Sequence, residues 1–385
     1  MKAVVVIPTY NEADSIGKMV DYLFEKIFPT LKGWTCQILI VDDTSPDGTY
    51  KVIEKAQKKY PDLFLSLSKE KSGIGGGYVR GFKYAMEKLN ADVVIEFDAD
   101  FQHPPEDIPV MLTEIEKGAD YVLGSRNIPG GSVPKSWGFK RIFLSKFGGG
   151  LVARFILFFP WKSFFQITDP TTGLKASRVK GFVDHMDFDH LYSYQFGYKL
   201  EFLYQMVQLK AKIKEIPLRF GLRETGESKI SAQTPKDILR SAILLRWFDP
   251  FTQKILKFGT VGFAGYLVNA LTLALFTKLN FPGWGAWGLS TELAIINNFV
   301  FNNIWTFRDQ QITGLAGLIS KFLQFNFTST GGLVIQVVVG VITDLLIGPQ
   351  YRQIVLPLTV VFLVLPYNYL MYTLVIWRKK APSQK

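Results

Sequence analysis

Three oxygen-bearing side chains spaced two apart, Asp98, Asp100 and Gln102, close an apolar run that begins at Val93. In extended backbone, residues i and i+2 point to the same side. Their oxygens can therefore meet at one point beyond the end of a buried strand. Two carboxylates and an amide oxygen suit a hard divalent cation, Mg²⁺ or Mn²⁺, which commonly completes its shell with substrate phosphate oxygens. The bland alternative is a strand ending in a polar turn, closed by His103-Pro104-Pro105.

Other charged groups follow apolar runs in the same way. Glu12 follows 3–7, Asp42 and Asp43 follow 37–41, and Arg126 follows 119–123. With 63–67 and 93–97, these short runs read as strands, and the segments between them read as helices. Alternation of this kind predicts an α/β domain with a parallel sheet, whose ligands bind beyond the carboxyl ends of its strands. Ser72-Gly73-Ile74-Gly75-Gly76-Gly77 reads as a flexible turn entering a helix. It either cradles phosphate on backbone N–H groups or is only a permissive loop. Residues 129–140 read as a mobile loop, and 219–229 as a charged loop placed to clamp an anion or simply to be solvated.

Composition divides the chain. The 385 residues carry a formal charge of +11 and include 32 Phe. Charged and apolar positions mix up to about residue 250, after which charge becomes sparse. A basic balance admits nucleic acid, anionic membrane or phosphorylated substrates. The first is disfavoured because the cations gather at strand ends and membrane borders, not on one helix face. A single cysteine, Cys36, excludes an intrachain disulfide and a Cys-based zinc site, and fits a reducing compartment. The N-terminus has no signal-peptide pattern.

Arg and Lys stud the Phe-rich apolar segments near 141–159. These are too short to span a bilayer and are expected to lie in its interface, the alternative being core-facing helix. Residues 235–248 read as a basic amphipathic helix. Four spans are expected at about 257–278, 285–305, 320–347 and 353–377, the second weakened by Glu292 and several Asn. Lys254, Lys257, Arg308, Lys321 and Arg378–Lys380 put the catalytic domain and both termini on the cytoplasmic side of a multi-pass cell-membrane protein.

Four motifs resemble the family 2 glycosyltransferases: Pro8-Thr9-Tyr10-Asn11-Glu12, Val41-Asp42-Asp43-Thr44-Ser45-Pro46-Asp47-Gly48-Thr49, Asp98 through Pro105, and Gly124-Ser125-Arg126. Arg223 through Ser228-Lys229 narrows the resemblance to the polyprenyl- (dolichyl-)phosphate mannose synthases. The C-terminal third, with Trp305-Thr306-Phe307, resembles small four-helix membrane proteins associated with lipid-linked sugar transfer. The resemblance implies a GT-A domain over 1–235, an interfacial helix or linker over 236–254, and a membrane domain over 255–385.

By the same resemblance, Pro8, Tyr10, Glu12, Val41 and Asp43 hold a guanine nucleoside, with Asp98 and Ala99 on the ribose and diphosphate side. Asp98, Asp100 and Gln102 bind the metal. Arg126, Arg223 and Lys229 handle phosphates, Arg141 and Ser145 lie near the acceptor phosphate, and Asp169 lies near the donor sugar. The implied reaction is metal-dependent, inverting transfer of mannose from GDP-mannose to a polyprenyl or dolichyl monophosphate. UDP-glucose or another nucleotide-sugar is an alternative donor. A lipid-phosphate-binding flippase without transferase activity is the alternative from another class.

Overall fold

The computed structural model describes residues 1–223 and 233–378. The chain divides into two compact units, Met1–Trp247 and Phe248–Lys385.

The first unit is built on a seven-stranded sheet. In chain order it contains β1 (Lys2–Thr9), α1 (Ala13–Tyr22), β2 (Thr35–Asp42), α2 (Thr49–Gln57), β3 (Leu63–Leu67) and α3 (Gly73–Glu87). It continues with β4 (Val93–Glu96), α4 (Asp107–Glu116), β5 (Tyr121–Ser125), α5 (Phe139–Phe143), α6 (Ala153–Phe158) and α7 (Lys162–Gln166). It ends with β6 (Lys175–Arg178), α8 (Tyr198–Gln208), β7 (Ile213–Pro217) and α9 (Thr234–Phe248). The strand order is β3-β2-β1-β4-β6-β5-β7. It is a mixed, GT-A-like Rossmann-type sheet.

Both faces are covered, which explains the near-continuous apolar runs. Val4 and Val6 enter the cluster under α3 and α8. Ala3, Val5 and Ile7 enter the opposite cluster with α1 and α4.

The fully parallel sheet expected from the alternation is not formed. β6 runs antiparallel to both β4 and β5. The reversal matters for position. Parallel strands deliver residues to the upper edge as they leave the sheet, whereas β6 delivers Asp169–Gly173 to that edge before it enters. The pairing Glu96↔Lys175 fixes the register.

The glycine-rich stretch is also not a loop. Gly75, Gly76, Gly77 and Gly81 lie within α3, where they allow close packing. A Cβ on Gly75 would lie 2.8 Å from that of Tyr198, and one on Gly81 would overlap Val6. The Gly75 and Gly76 N–H groups both donate to the Tyr194 carbonyl, at 2.9 and 3.3 Å. The start of α3 is thus spent on a main-chain oxygen of its own fold.

Between α5 and α6 the helix runs through wider π-type turns over Leu144–Val152. Its inner side places Ala153, Leu157 and Phe158 in the core. Its outer side exposes Phe139, Phe143, Phe147, Phe155 and Phe159, with the first three rings stacked in sequence.

The second unit contains α10 (Pro250–Lys278), α11 (Gly283–Phe301), α12 (Leu315–Leu346) and a helical stretch, Pro349–Ile376, that includes α13 (Arg352–Thr359) and α14 (Leu365–Met371). Asp249 caps α10, accepting from the Thr252 N–H at 2.9 Å, and Pro250 occupies the first turn. Among the described residues, three helical stretches are long and apolar enough to cross a membrane: Pro250–Lys278, Leu315–Leu346 and Pro349–Ile376. The second expected span is α11, a 19-residue helix carrying Glu292, Asn297 and Asn298.

Candidate active site

The upper edge of the sheet gathers charge because consecutive strands end there in turns. Three of these turns contain a non-glycine residue in the left-handed region: Asn11 after β1, Thr44 after β2 and Phe101 after β4, with φ of 55°, 49° and 58°. Such backbone costs about 1–3 kcal/mol per residue and gathers at functional sites. At Phe101 it brings the chain round, so that the Gln102 N–H donates to Asp100 Oδ1 at 3.1 Å.

Asp98 and Asp100 sit in different surroundings. Tyr78 donates its hydroxyl to Asp98 Oδ1 at 3.2 Å, and His103 Nδ1 lies 3.6 Å from Oδ2. Burial pushes the Asp98 carboxyl up, but His103, Lys199, Tyr78 and Arg223 outweigh it and hold it below the usual range. Asp100 is pushed up to about 6, first by burial and then by the charge of Asp98, against the pull of Arg223. Arg223 Nη2 contacts Asp100 Oδ2 at 2.7 Å, and its Nη1 lies 3.7 Å from Glu12 Oε1. Gln102 braces that loop twice: it accepts from the Gly221 N–H at 2.7 Å and donates through Nε2 to the Gly221 carbonyl at 3.4 Å.

These residues fit a divalent cation that takes part of its shell from a substrate. Among the described residues no three His, Cys, Asp or Glu side chains form a protein-only cage. The donor set is two carboxylates with the Gln102 amide oxygen, all hard oxygens. Asp98 raises the cost of ionising its buried neighbour, and the Arg223 guanidinium supplies compensating positive charge there. Magnesium-type ions are typically bound by one or two carboxylates together with phosphate oxygens.

Arg126 is already committed. Its Nε and Nη2 donate to Asp169 at 2.7 and 2.6 Å, its N–H donates at 3.0 Å, and Thr171 accepts at 3.2 Å. Asp169 is fully buried; burial pushes its carboxyl up, but the charge and hydrogen bonds of Arg126, with the charge of Lys199, hold it below the ordinary range. Arg141 differs: among the described residues it has no carboxylate partner and stacks on Trp137 at 3.9 Å. Burial, then the charges of Arg126 and Arg223, lower its pKa. Arg141, Arg223, Gln102 and Trp137 line a cavity of about 300 Å³. Ser145 follows Arg141 by about one helical turn. Lys229 lies outside the described residues.

Among the other expected contacts, Asp43 is engaged by Arg80 and by the Ser72 N–H at 3.0 Å. The Tyr10 ring lies under Lys71 Nζ at 3.7 Å. Pro8 packs against the Gly77 turn of α3, and the Val41 side chain belongs to the core. Ala99 is buried between the two aspartates.

Residue reasoning missed Lys199, on the second residue of α8. It is 6% exposed, and its ammonium influences Asp98, His103 and Asp169. A Cβ on Gly173 would come within 2.8 Å of Lys199 Nζ and 2.7 Å of His103 Cε1. Gly173 therefore leaves room for both groups. The one signal in the sequence is the small-residue turn Thr171-Thr172-Gly173 just before β6. Beneath lies a second buried pair, Glu96 with Lys175 at 3.7 Å, joined by the Tyr198 hydroxyl. Burial lowers Lys175 to about 8 and lowers His103 to about 4, so the imidazole is uncharged near neutrality.

Comparison with known proteins adds an independent line. The family described as Glycosyl transferase family 2 matches residues 4–176, and the family described as GtrA/DPMS, transmembrane domain, matches 257–377. A dolichol-phosphate mannosyltransferase of Pyrococcus furiosus is 36% identical over 88% of this chain and 90% of its own length. An undecaprenyl-phosphate mannosyltransferase of Micrococcus luteus is 32% identical over 64% of this chain and 96% of its own. A polyprenol monophosphomannose synthase of Mycolicibacterium smegmatis is 30% identical over 62% and 84% respectively.

Proposed function

This chain belongs to the family 2 glycosyltransferases, in the group of dolichol- and polyprenol-phosphate mannosyltransferases, and from that premise we propose that it transfers mannose from GDP-mannose to a polyprenyl or dolichyl-type monophosphate with inversion at the anomeric carbon. It is a glycosyltransferase and a membrane protein. The observation that carries the proposal is the juxtaposition of Asp98 and Asp100 with Arg223 and with the cavity lined by Arg141.

Asp98, Asp100 and Gln102 would hold Mg²⁺ or Mn²⁺. The ion would act as a Lewis acid, neutralising a diphosphate leaving group. The remaining work belongs to the chain. An acceptor phosphate oxygen forms the new bond to the anomeric carbon while the bond from that carbon to the β-phosphate oxygen of GDP breaks. The acceptor is already an anion, so no general base is needed. His103 is enclosed and its pKa is lowered to about 4, chiefly by burial, which leaves it a weak base. What must be overcome is repulsion between two phosphate groups.

Arg141 and Arg223, with Lys229, offset that repulsion through charge-assisted hydrogen bonds and align the reactants. Arg126, fixed by Asp169, contributes position and field, and Ser145 joins the acceptor side. Lys199, with Asp169 beside it, would face the sugar. Pro8, Tyr10, Glu12, Val41 and Asp43 form the nucleoside side, where a half-buried carboxylate, Asp43, held by Arg80 suits a base that presents N–H donors.

The exposed Phe face of 139–159 suits a bilayer interface, which would hold the site at the height of a lipid phosphate. Lys254, Lys257, Arg308, Lys321 and Arg378, in or just outside the terminal turns of the apolar helices, support a cytoplasmic location for the catalytic unit and both termini.

A donor panel tests the proposal. Purified full-length protein with Mn²⁺ or Mg²⁺ and a short polyprenyl phosphate is offered GDP-mannose, UDP-glucose, UDP-GlcNAc or UDP-galactose. Organic-phase label is expected from GDP-mannose alone and is expected to vanish with excess chelator. Label from a UDP-sugar in place of GDP-mannose would overturn the donor, and full activity in chelator would overturn the metal.

A further inference from the structure

Glu292 is a carboxylic acid inside an apolar helical unit. It lies near the middle of α11, about 14 Å from the Phe301 end at 1.5 Å per residue. α11 packs along α10, so closely that a Cβ on Gly265 would overlap the Asn298 side chain. It therefore shares the depth of a helix that is itself long and apolar enough to cross a membrane. Glu292 is exposed on the outside of this unit. Its partner among the described residues is Asn326 of α12, whose Nδ2 donates to Oε1 at 3.1 Å. The other carboxyl oxygen and the Asn326 amide oxygen have no partner among the described residues.

The surface around the pair is apolar. Leu289, Leu293 and Ile296 of α11, and Leu323 and Phe327 of α12, are all exposed. In a bilayer no water satisfies the two remaining oxygens, and an intramembrane ionisable side chain marks a site by default. One turn from Glu292, a Cβ on Gly288 would meet nothing within 4 Å, so another backbone can approach closely there.

We propose that Glu292 and Asn326 form a self-association site in the membrane-embedded unit, where two copies of this chain pair across their α11–α12 faces. A second copy is favoured by complementarity. Lys278 and Arg352 sit at helix ends, and Arg352 pairs with Asp344; Lys321, about 7.5 Å along α12 from Asn326, donates to Gln324 and to the Val375 carbonyl. They offer no cation at the depth of Glu292. A carboxyl–amide pair, however, offers both donors and acceptors, so two such pairs related by a twofold axis satisfy each other. A two-fold interface requires such self-complementarity. The proposal rests on the membrane-embedded reading of this unit but not on the donor or the metal.

The test is disulfide trapping of the full chain in liposomes at low protein density, in a Cys36→Ala background. Gly288→Cys is compared with Phe362→Cys, an exposed apolar position on another helix. Gly288→Cys is expected to crosslink at least about tenfold faster, and Glu292→Leu or Asn326→Leu is expected to remove most of that advantage. Thermal unfolding of each purified variant in detergent, beside wild type, reports that it is folded. Equal crosslinking at the two positions, or an unchanged Gly288→Cys rate in a folded Glu292→Leu or Asn326→Leu variant, would overturn the proposal.

Discussion

Asp98 and Asp100 lie two residues apart, yet they are held in opposite directions from the ordinary carboxylate range. Asp98 is surrounded by donors and cations, while Asp100 is buried beside a like charge. The arginines divide in the same manner. Arg126 is locked on Asp169, whereas Arg141 stacks on an indole with no carboxylate partner among the described residues. Arg141→Gln is therefore expected to raise KM for polyprenyl phosphate roughly tenfold or more while changing KM for GDP-mannose less than about threefold, since a lost charge-assisted hydrogen bond costs about 1.5–3 kcal/mol. Initial rates with each substrate varied in turn would measure this, and an equal rise in both would remove its acceptor role. The two aspartates were legible because the period of a strand alone aligns them. Lys199 was not: its approach to Asp98 and Asp169 needs α8 to pack under β6 and Gly173 to lack a side chain.

At the scale of elements, alternating apolar runs made an α/β unit with ligands at strand ends legible. The reversal of β6 was not, because Lys175–Arg178 is only four residues long and has a cationic side chain at each end in place of an apolar run. Lys175 is buried only because Glu96 is its register partner, a pairing that no local pattern contains. The glycines of α3 misled for a related reason. Glycine permits both flexibility and close approach, and only the neighbours Val6 and Tyr198 decide between them.

α8 also carries Glu201, buried and pushed up to about 7, chiefly by burial, from an ordinary value of 4.5. Between those values the folded chain holds a proton that the unfolded chain releases. The associated stability is complete below about pH 4.5 and is lost as pH rises through 7. Glu201→Gln can still accept from the Tyr192 N–H, which now donates at 2.9 Å, and is expected to gain about 2 kcal/mol over wild type at pH 8 but little at pH 4.5. Thermal unfolding of the full chain in detergent at the two pH values would measure the gain. An equal effect at both would assign it to packing.

At the scale of the whole molecule, a formal charge of +11 is carried by a chain whose C-terminal third is largely uncharged. The shift in composition near residue 250 was legible because water and hydrocarbon select different side chains. The partners of Glu292 were not, since helix faces are chosen by packing. The Phe-rich stretch turns one side into the core, as its core-facing alternative expected, and leaves the other exposed. Soluble α/β chemistry and apolar helices in one chain suit a substrate pair that is itself divided, a water-soluble sugar donor and a lipid phosphate.

The most direct measurement is transfer of labelled mannose from GDP-mannose to a short polyprenyl phosphate by wild type and by Asp100→Asn, counted in the organic phase. Wild type is expected to form lipid-linked mannose, and Asp100→Asn to lose about a thousandfold or more, in line with removal of a major electrostatic contribution at a reacting centre. Lipid-linked mannose formed at wild-type rate by Asp100→Asn, or none formed by folded wild type with metal present, would contradict the account.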